Sequence, residues 1–412
     1  MKFNKWTLGL VAVGLVSWNS AAQAEDAAAA PATVLTSLSS TTLSGYVDTS
    51  AQWNLGTGNA LTPPYAFGGA SKADGFNLNV VQLSLDKPLD ESEWAAGYHV
   101  DLWLGPDATA LGSQSINSVG GADFAIRQAY VSLRTPVGNG IDWKIGVFDT
   151  VIGYESLASA NNPNYTHSYG FTIEPTTHTG ILGTYKVNDV VNISAGIANT
   201  FGPSINEKAQ GPNLSGSTMA ESYKTYMAAV AVSAPTSWGW IGGSTLSAGI
   251  INGFNDTPGE GNGGGQTSVY AGATVNTPMS ALKLGSSLDF VQVHDANQVS
   301  GGDAPDGSIW DGALYASFQA TEKLSLNLRG ELVDDAADAL AGDLPDLSGT
   351  RRVKIWAATA TAQYDLWKNV ISRVEFRWDH GDNGRYFGNV TSSDTASRRN
   401  AYMLAAQVIY KF

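Results

Sequence analysis

The chain consists of sixteen segments in which polar and apolar residues alternate, joined by connectors that are alternately long and short. After a first segment at 43–53, the long connectors begin near residues 54, 104, 149, 200, 253, 294, 334 and 380. A sheet that passes up and down through a bilayer has tight turns on one side and elaborated loops on the other. The pattern therefore predicts an all-β fold: a transmembrane up-and-down antiparallel β-barrel of about 16 strands, with short periplasmic turns and long extracellular loops. A short strand hidden within 165–173 would raise the count to eighteen.

The N-terminal region has the pattern of an export signal. Lys2 and Lys5 form a basic start, an apolar stretch follows, and Ala22-Gln23-Ala24 is a small-residue cleavage site. We therefore expect a secretory signal peptide at 1–24, an N-terminal Ala/Pro-rich linker at 25–42 and a single barrel domain at 43–412. After export through the periplasm, the expected location is the bacterial outer membrane.

Composition excludes several classes of protein. The chain has no cysteine, so it has neither disulfides nor thiolate metal sites. Its formal net charge of -14 argues against nucleic acid, whose phosphates require a basic surface. Beyond the signal, no run of eighteen apolar residues is present, which argues against membrane-spanning helices. We expect no cofactor and no metal site.

The alternation also predicts which face of each strand meets lipid. In segment 370–379, charged residues share one parity and large apolar residues share the other. A charge that faces lipid at the bilayer midplane costs roughly 2 to 4 kcal/mol, so four on one strand would cost on the order of 10 kcal/mol. The charged face must therefore be the lumen. The predicted pore-lining residues are Arg134, Lys144, Arg329, Glu331, Arg373, Glu375, Arg377 and Asp379.

Aromatic residues fall near the predicted strand ends, as in the two interfacial girdles of membrane barrels. This set comprises Trp94, Trp103, Trp143, Trp310, Trp356, Tyr364, Trp367 and Trp378. The last segment, 400–412, alternates and stops on Phe412. A terminal strand of this kind suits closure, because pairing it with the first strand removes the open edges.

Several motifs resemble those of the OmpL-like β-barrel porin-2 family. They are GVFDTVIGYE at 146–155, NNPNY at 161–165, HTG at 178–180, VQLSLDKP at 81–88 and RQAYV at 127–131. The resemblance spans most of the chain after the signal. It implies a diffusion channel in the outer membrane of a Gram-negative bacterium, and it does not specify a solute.

A barrel of sixteen strands leaves an aqueous lumen, so the expected activity is passive diffusion of small hydrophilic solutes or ions. The long third loop, about 149–176, is the predicted constriction, with Asp149, Tyr154, Glu155 and Glu174 as its key residues. Opposite charges across it would orient polar solutes, or would form only a salt-bridge network that stiffens the wall. The acidic chain predicts mild cation preference. Outer-membrane lipid is an expected partner, and a homotrimer is possible by analogy of fold.

Three alternatives stay open. A substrate-specific channel would share the same barrel. A barrel enzyme of the lipase or esterase kind could use His99 and Asp101 with a nearby serine, although the shared parity of these two residues points them to the lumen. A soluble multi-strand protein would also alternate, but the chain shows neither propeller repeats nor β-helix rungs.

Overall fold

The computed structural model describes residues 40–56, 58–114, 123–208, 223–254, 265–293, 307–336, 340, 352–390 and 396–412. The expected signal peptide at 1–24 and most of the linker at 25–42 lie outside these residues.

Sixteen antiparallel strands form a closed barrel in which each strand pairs with its neighbours in sequence. They are β1 (Thr42–Asn54), β2 (Gly75–Lys87), β3 (Ala96–Leu104), β4 (Phe124–Thr135), β5 (Ile141–Asp149), β6 (Thr177–Lys186), β7 (Val191–Ala198), β8 (Thr225–Ser233), β9 (Thr245–Phe254), β10 (Gly265–Asn276), β11 (Leu282–Val293), β12 (Gly307–Gln319), β13 (Leu324–Asp335), β14 (Val353–Trp367), β15 (Val370–Gly381) and β18 (Asn400–Lys411). Two short strands, β16 (Phe387–Val390) and β17 (Ala396–Arg398), form a separate sheet in the last long connector. The predicted barrel of sixteen strands is confirmed.

The barrel closes through its two terminal strands. β1 pairs with β18 in antiparallel register, with Val47 opposite Tyr410 and Ala51 opposite Ala406. At the end of this seam, the Gly45 and Phe412 backbones exchange two hydrogen bonds of 3.0 Å. Pairing of the two terminal strands satisfies backbone groups that would otherwise be exposed at a sheet edge.

Alternation along each strand sorts side chains between the two faces as predicted. In β13, Leu326 and Leu328 are exposed on the outside, whereas Asn327 and Arg329 are buried inside. β15 repeats this arrangement with four buried charged residues. An apolar exterior is what a bilayer requires, and the polar side chains can be satisfied only within the barrel.

Helices are few and short. They are α1 (Pro106–Leu111), α2 (Tyr169–Ile173) and the 3-10 helices Ala70–Lys72, Ser159–Asn161 and Thr236–Ile241. Among the described residues, no helix combines the length and apolar character needed to cross a membrane. The possible extra strand at 165–173 was wrong: Ser168 caps α2 there by accepting a hydrogen bond from the Phe171 N–H (3.0 Å).

One residue of the predicted aromatic girdles was placed wrongly. Trp94, Trp356, Tyr364 and Trp367 are exposed on the outside. Trp103, however, is 1% exposed and donates from Nε1 to Gln82 Oε1 at 2.8 Å. It shares the parity of the inward-facing Asp101, two residues earlier on β3, and its N–H finds a polar partner inside the barrel.

Candidate constriction site inside the barrel

The segment 150–176, which we call the inner loop, runs from the end of β5 to the start of β6 within the barrel. Its apolar side chains are buried against three different parts of the wall. Ile152 joins a cluster with Leu182 and Ile251, Ile173 joins one with Val291, and Phe171 joins one with residues of β1 to β4. The inner loop therefore contacts the wall on several sides.

Two wall glycines make room for this loop. A Cβ atom at Gly285 of β11 would lie 1.8 Å from Tyr154 Oη, and one at Gly249 of β9 would lie 2.7 Å from Ile152 Cγ2. The Tyr154 ring stacks on Tyr315 with centroids 4.2 Å apart. Close packing of the loop therefore depends on the absence of side chains at these two positions.

We expect Gly285→Ala to push Tyr154 from its site and to destabilise the barrel by about 1 to 3 kcal/mol, the usual range for overpacking. The matched control is Gly330→Ala on β13, where no atom lies within 4 Å of the added Cβ. Denaturant unfolding followed by tryptophan fluorescence measures both. Equal stability of the two variants would contradict the close approach of Tyr154 to β11.

Arginines from the wall bind the backbone of the inner loop. Arg329 of β13 donates to the carbonyls of Thr166 (2.6 Å) and His167 (3.0 Å). Arg377 of β15 donates to the same His167 carbonyl at 2.7 Å. Arg373, four residues before Arg377 on β15, donates to the Ser159 carbonyl at 3.0 Å and also donates to the carbonyl of Asn162. The guanidinium groups of Arg329 and Arg377 satisfy the carbonyls of Thr166 and His167, and Arg373 adds a second donor to the Ser159 carbonyl, which also accepts from the Asn162 N–H at 3.2 Å.

Carboxylates from the same strands bind the loop N–H groups. Glu375 accepts from the Thr166 N–H at 3.0 Å and from Thr166 Oγ1 at 2.6 Å. Glu331 accepts from the Tyr169 N–H at 2.7 Å, and Asp379 accepts from the Tyr169 hydroxyl at 2.8 Å. The six predicted lumenal residues of β13 and β15 are thus brought together around one stretch of loop backbone.

Glu155 is the loop residue at the centre of this network. Its carboxylate lies 3.0 Å from Arg329 Nη1 and 2.9 Å from His167 Nδ1, and it accepts from the Tyr315 hydroxyl at 3.1 Å. Burial by itself raises the pKa of Glu155, but Arg329 and His167 outweigh it and lower the pKa to about 2. The distance of 3.0 Å between Arg329 Nη1 and the carboxylate shows that Glu155 and Arg329 are in direct contact, with no open gap between them.

An acidic cluster lies beside α2. Asp289 of β11 and Asp311 of β12 are directly opposite in register and almost fully buried. Their carboxylate oxygens accept no hydrogen bond from any described N–H group, and a Cβ at Gly170 would lie 2.7 Å and 2.9 Å from them. Burial, together with the neighbouring Asp289 carboxyl, raises the pKa of Glu174 well above its usual value. This part of the bore has an excess of acid.

The other predicted residues lie apart from this network. Arg134, at the short-turn end of β4, pairs with Asp142 at 2.6 Å. Lys144 of β5 lies over the Tyr130 ring at 4.8 Å. Asp149 forms an ion pair with Arg127.

Arg127 was missed by the sequence analysis. It is 3% exposed and binds Asp101 at 3.0 Å as well as Asp149. The register between β3 and β4 shifts next to Asp101, so Arg127 and Gln128 are both buried although they are adjacent in sequence. A bulge of this kind changes the parity of a strand, and simple alternation does not reveal it.

The first two long connectors also contribute residues that sequence alone did not indicate. Tyr65 lies against the Arg377 guanidinium at 4.3 Å. Lys72 binds Asp107 of α1 at 2.6 Å, and both are buried. Burial raises the pKa of Asp107 to about 6, against the opposing effect of Lys72. Neither connector had a charge pattern that indicated these contacts.

Comparison with known proteins identifies the family. Residues 40–412 match the family described as "Putative beta-barrel porin-2, OmpL-like". No curated protein shows significant sequence similarity to the chain.

Solved structures show the same fold at low identity. The outer membrane channel DcaP of Acinetobacter baumannii has a TM-score of 0.58 at 12% identity, covering 90% of this chain and 97% of that one. The anion-selective porin of Comamonas acidovorans has a TM-score of 0.56 at 16% identity, covering 90% of this chain and 99% of that one. The trimer form of OmpT of Vibrio cholerae has a TM-score of 0.50 at 11% identity, and the match covers 90% of this chain and 99% of that one. The chain belongs to the OmpL-like beta-barrel porin-2 family of the bacterial outer membrane.

Proposed function

We propose that this porin allows passive diffusion of small hydrophilic solutes or ions, and that the inner loop forms its constriction. The observation that carries the proposal is the binding of the loop backbone by charged residues of β13 and β15. Arg329 and Arg377 both donate to the His167 carbonyl, and Glu375 accepts from the Thr166 N–H. A loop held at this many points narrows the lumen permanently, so it acts as a fixed filter.

The packing around the loop favours a narrow passage. Between the inner loop, the first connector and the wall near Tyr46 and Gln407, one cavity has a volume of only ≈ 20 Å³. About one water molecule fits in such a space. Such close packing on the β1 to β3 side of the inner loop supports a narrowed bore, which would favour small ions and, as the second candidate function, a restricted set of substrates.

We further propose a mild preference for cations. The acidic cluster of Glu174, Asp289 and Asp311 supports it, because carboxyl groups inside the bore raise the local concentration of cations once they are ionised. The arginines of the wall weaken this preference for cations less than their number suggests. Arg329 and Arg377 are each matched by carboxylates, Arg329 by Glu155 and Glu331 and Arg377 by Asp379.

Reversal potentials in a planar bilayer with a KCl gradient test this preference. We expect the native protein to favour K⁺, and more strongly as the pH rises, because burial and the Asp289 carboxyl raise the pKa of Glu174 and delay the loss of its proton. Asp289→Asn with Asp311→Asn should reduce the permeability ratio by about twofold or more.

A matched control is Asp90→Asn with Asp189→Asn, which removes two carboxylates in the short turns. It should leave the ratio nearly unchanged. Anion selectivity of the native protein would refute the preference for cations. If both double variants changed the permeability ratio equally, the acidic cluster would not be the cause of that preference.

The geometry around His99 does not favour an enzyme. Its Nδ1 lies 2.9 Å from Asp86 and its Nε2 lies 3.1 Å from Asp101, so carboxylates occupy both ring nitrogens. A hydrolase needs one nitrogen free to take a proton from its nucleophile. Incubation of purified protein with ester and phospholipid substrates should give no turnover.

We also propose a homotrimer and removal of residues 1–24 during export. A trimer form exists for OmpT of Vibrio cholerae, which shares the fold. Mass measurement of the mature protein and chemical cross-linking in mild detergent test the two proposals separately.

A further inference from the structure

The hairpin of β16 and β17 presents three arginines at the long-loop rim. Backbone hydrogen bonds run from the Tyr386 N–H to the Arg398 carbonyl (3.1 Å) and from the Gly381 N–H to the Arg399 carbonyl (2.7 Å). The side chains of Tyr386 and Phe387 are buried in a core cluster and anchor the hairpin. Arg385, Arg398 and Arg399 remain exposed.

These guanidinium groups form no ion pair with any carboxylate of the described part of the chain. Arg399 donates to the Asp382 backbone carbonyl at 3.3 Å, which leaves its charge unneutralised. Three positive charges lie together, although the whole chain has a net charge of -14. Such a local reversal of sign is suited to an anionic ligand.

The arginines line a cleft of ≈ 530 Å³ together with the polar Ser397 and Asn400 and with Leu55 and Tyr402. Leu55 and Tyr402 complete this cleft, and the Leu55 N–H donates to the Tyr402 carbonyl at 2.9 Å. Both side chains are exposed and continue the outward-facing row of Trp53 and Leu404. The cleft thus joins a cluster of arginines at the long-loop rim to the end of the outward-facing apolar row of β1 and β18.

We propose that this cleft binds the phosphorylated headgroup of an outer-leaflet glycolipid. Guanidinium groups bind phosphate oxygens through paired, charge-assisted hydrogen bonds. Acyl chains of the same lipid would lie along Leu55 and Tyr402, which a free phosphate ion cannot do. The inference uses the outer-membrane location and is independent of conduction.

Binding of diphosphoryl lipid A to the full-length protein in mild detergent, measured by native mass spectrometry, tests this proposal. Replacing Arg385, Arg398 and Arg399 with alanine should weaken binding by about ten- to a hundredfold. The matched control replaces Lys323, Lys368 and Lys411, three exposed lysines at the short-turn end, with alanine. It removes the same charge and should change binding less than about twofold.

Two further measurements separate other occupants. Inorganic phosphate and dephosphorylated lipid A should each bind far more weakly than diphosphoryl lipid A, and Leu55→Ser should weaken only binding of the lipid. The proposal is overturned if the arginine and lysine variants lose equal affinity, or if phosphate alone competes fully. It is also overturned if the arginine variant changes the oligomeric state while it still binds the lipid, since the cleft would then be a contact between copies.

Discussion

Arg329→Ala is expected to release part of the inner loop and to destabilise the folded barrel by about 3 to 5 kcal/mol, the range for removing one partner of a buried ion pair. The side chain is fully buried and contacts both Glu155 and Glu331 at 3.0 Å. Its loss removes the guanidinium that Glu155 and Glu331 share and leaves the Thr166 carbonyl without its donor from the wall, whereas the His167 carbonyl keeps Arg377. Denaturant unfolding and the temperature at which the folded form is lost on a denaturing gel measure the effect.

The control for this prediction is Arg134→Ala. Arg134 also pairs with a carboxylate at 2.6 Å, but the partner, Asp142, is 38% exposed in its side chain. The side chain of Arg134 is 11% exposed, so the pair is partly open to solvent, and exposed pairs contribute only about 0 to 1 kcal/mol. This variant should therefore lose much less stability than Arg329→Ala. If Arg329→Ala were as stable as Arg134→Ala, the buried network would not hold the loop.

Much of the fold could be predicted from sequence because alternation has an immediate physical cause. Charged residues such as Arg373 and Arg377 cannot face lipid, so their parity identifies the lumen on every regular strand. The same reasoning gave the wrong side for Trp103, since a tryptophan is stable both at an interface and inside the barrel with its N–H bonded. It also missed Arg127, because a bulge changes the parity of β4.

The candidate site was only partly predictable. The length of segment 149–176 and the charges on β13 and β15 indicated a constriction and its wall. They did not indicate that Arg329 and Glu155 would be in direct contact, because pairing across a lumen depends on the path of the loop. That path is fixed by features with little sequence signal, such as the absence of a side chain at Gly285.

The buried network has a consistent chemical logic. Loop backbone inside a barrel needs partners for its N–H and C=O groups, because most of it is not part of a strand. Arg373 and Arg377 supply donors to carbonyls, and Glu375 supplies an acceptor to N–H groups. Charged side chains of both signs on β15 therefore position the loop, and their charges largely cancel.

Replacing residues 156–172 with a short Gly/Ser linker is expected to raise single-channel conductance severalfold. The deletion removes α2 and the backbone that Arg329, Arg373 and Glu375 bind, so water fills the bore of a sixteen-strand barrel. Planar-bilayer recording in 1 M KCl measures the conductance, and graded neutral polymers measure the widened radius.

This deletion should destabilise the barrel less than Arg329→Ala does, although it removes more contacts. In the deletion variant the wall charges become hydrated, whereas in the point variant Glu155 and Glu331 stay buried without the Arg329 guanidinium. The strand ladder itself is independent of the loop and should keep the barrel resistant to detergent until it is heated. Unchanged conductance in a properly folded deletion variant would show that the inner loop is not the constriction and that the narrowest section lies elsewhere in the bore.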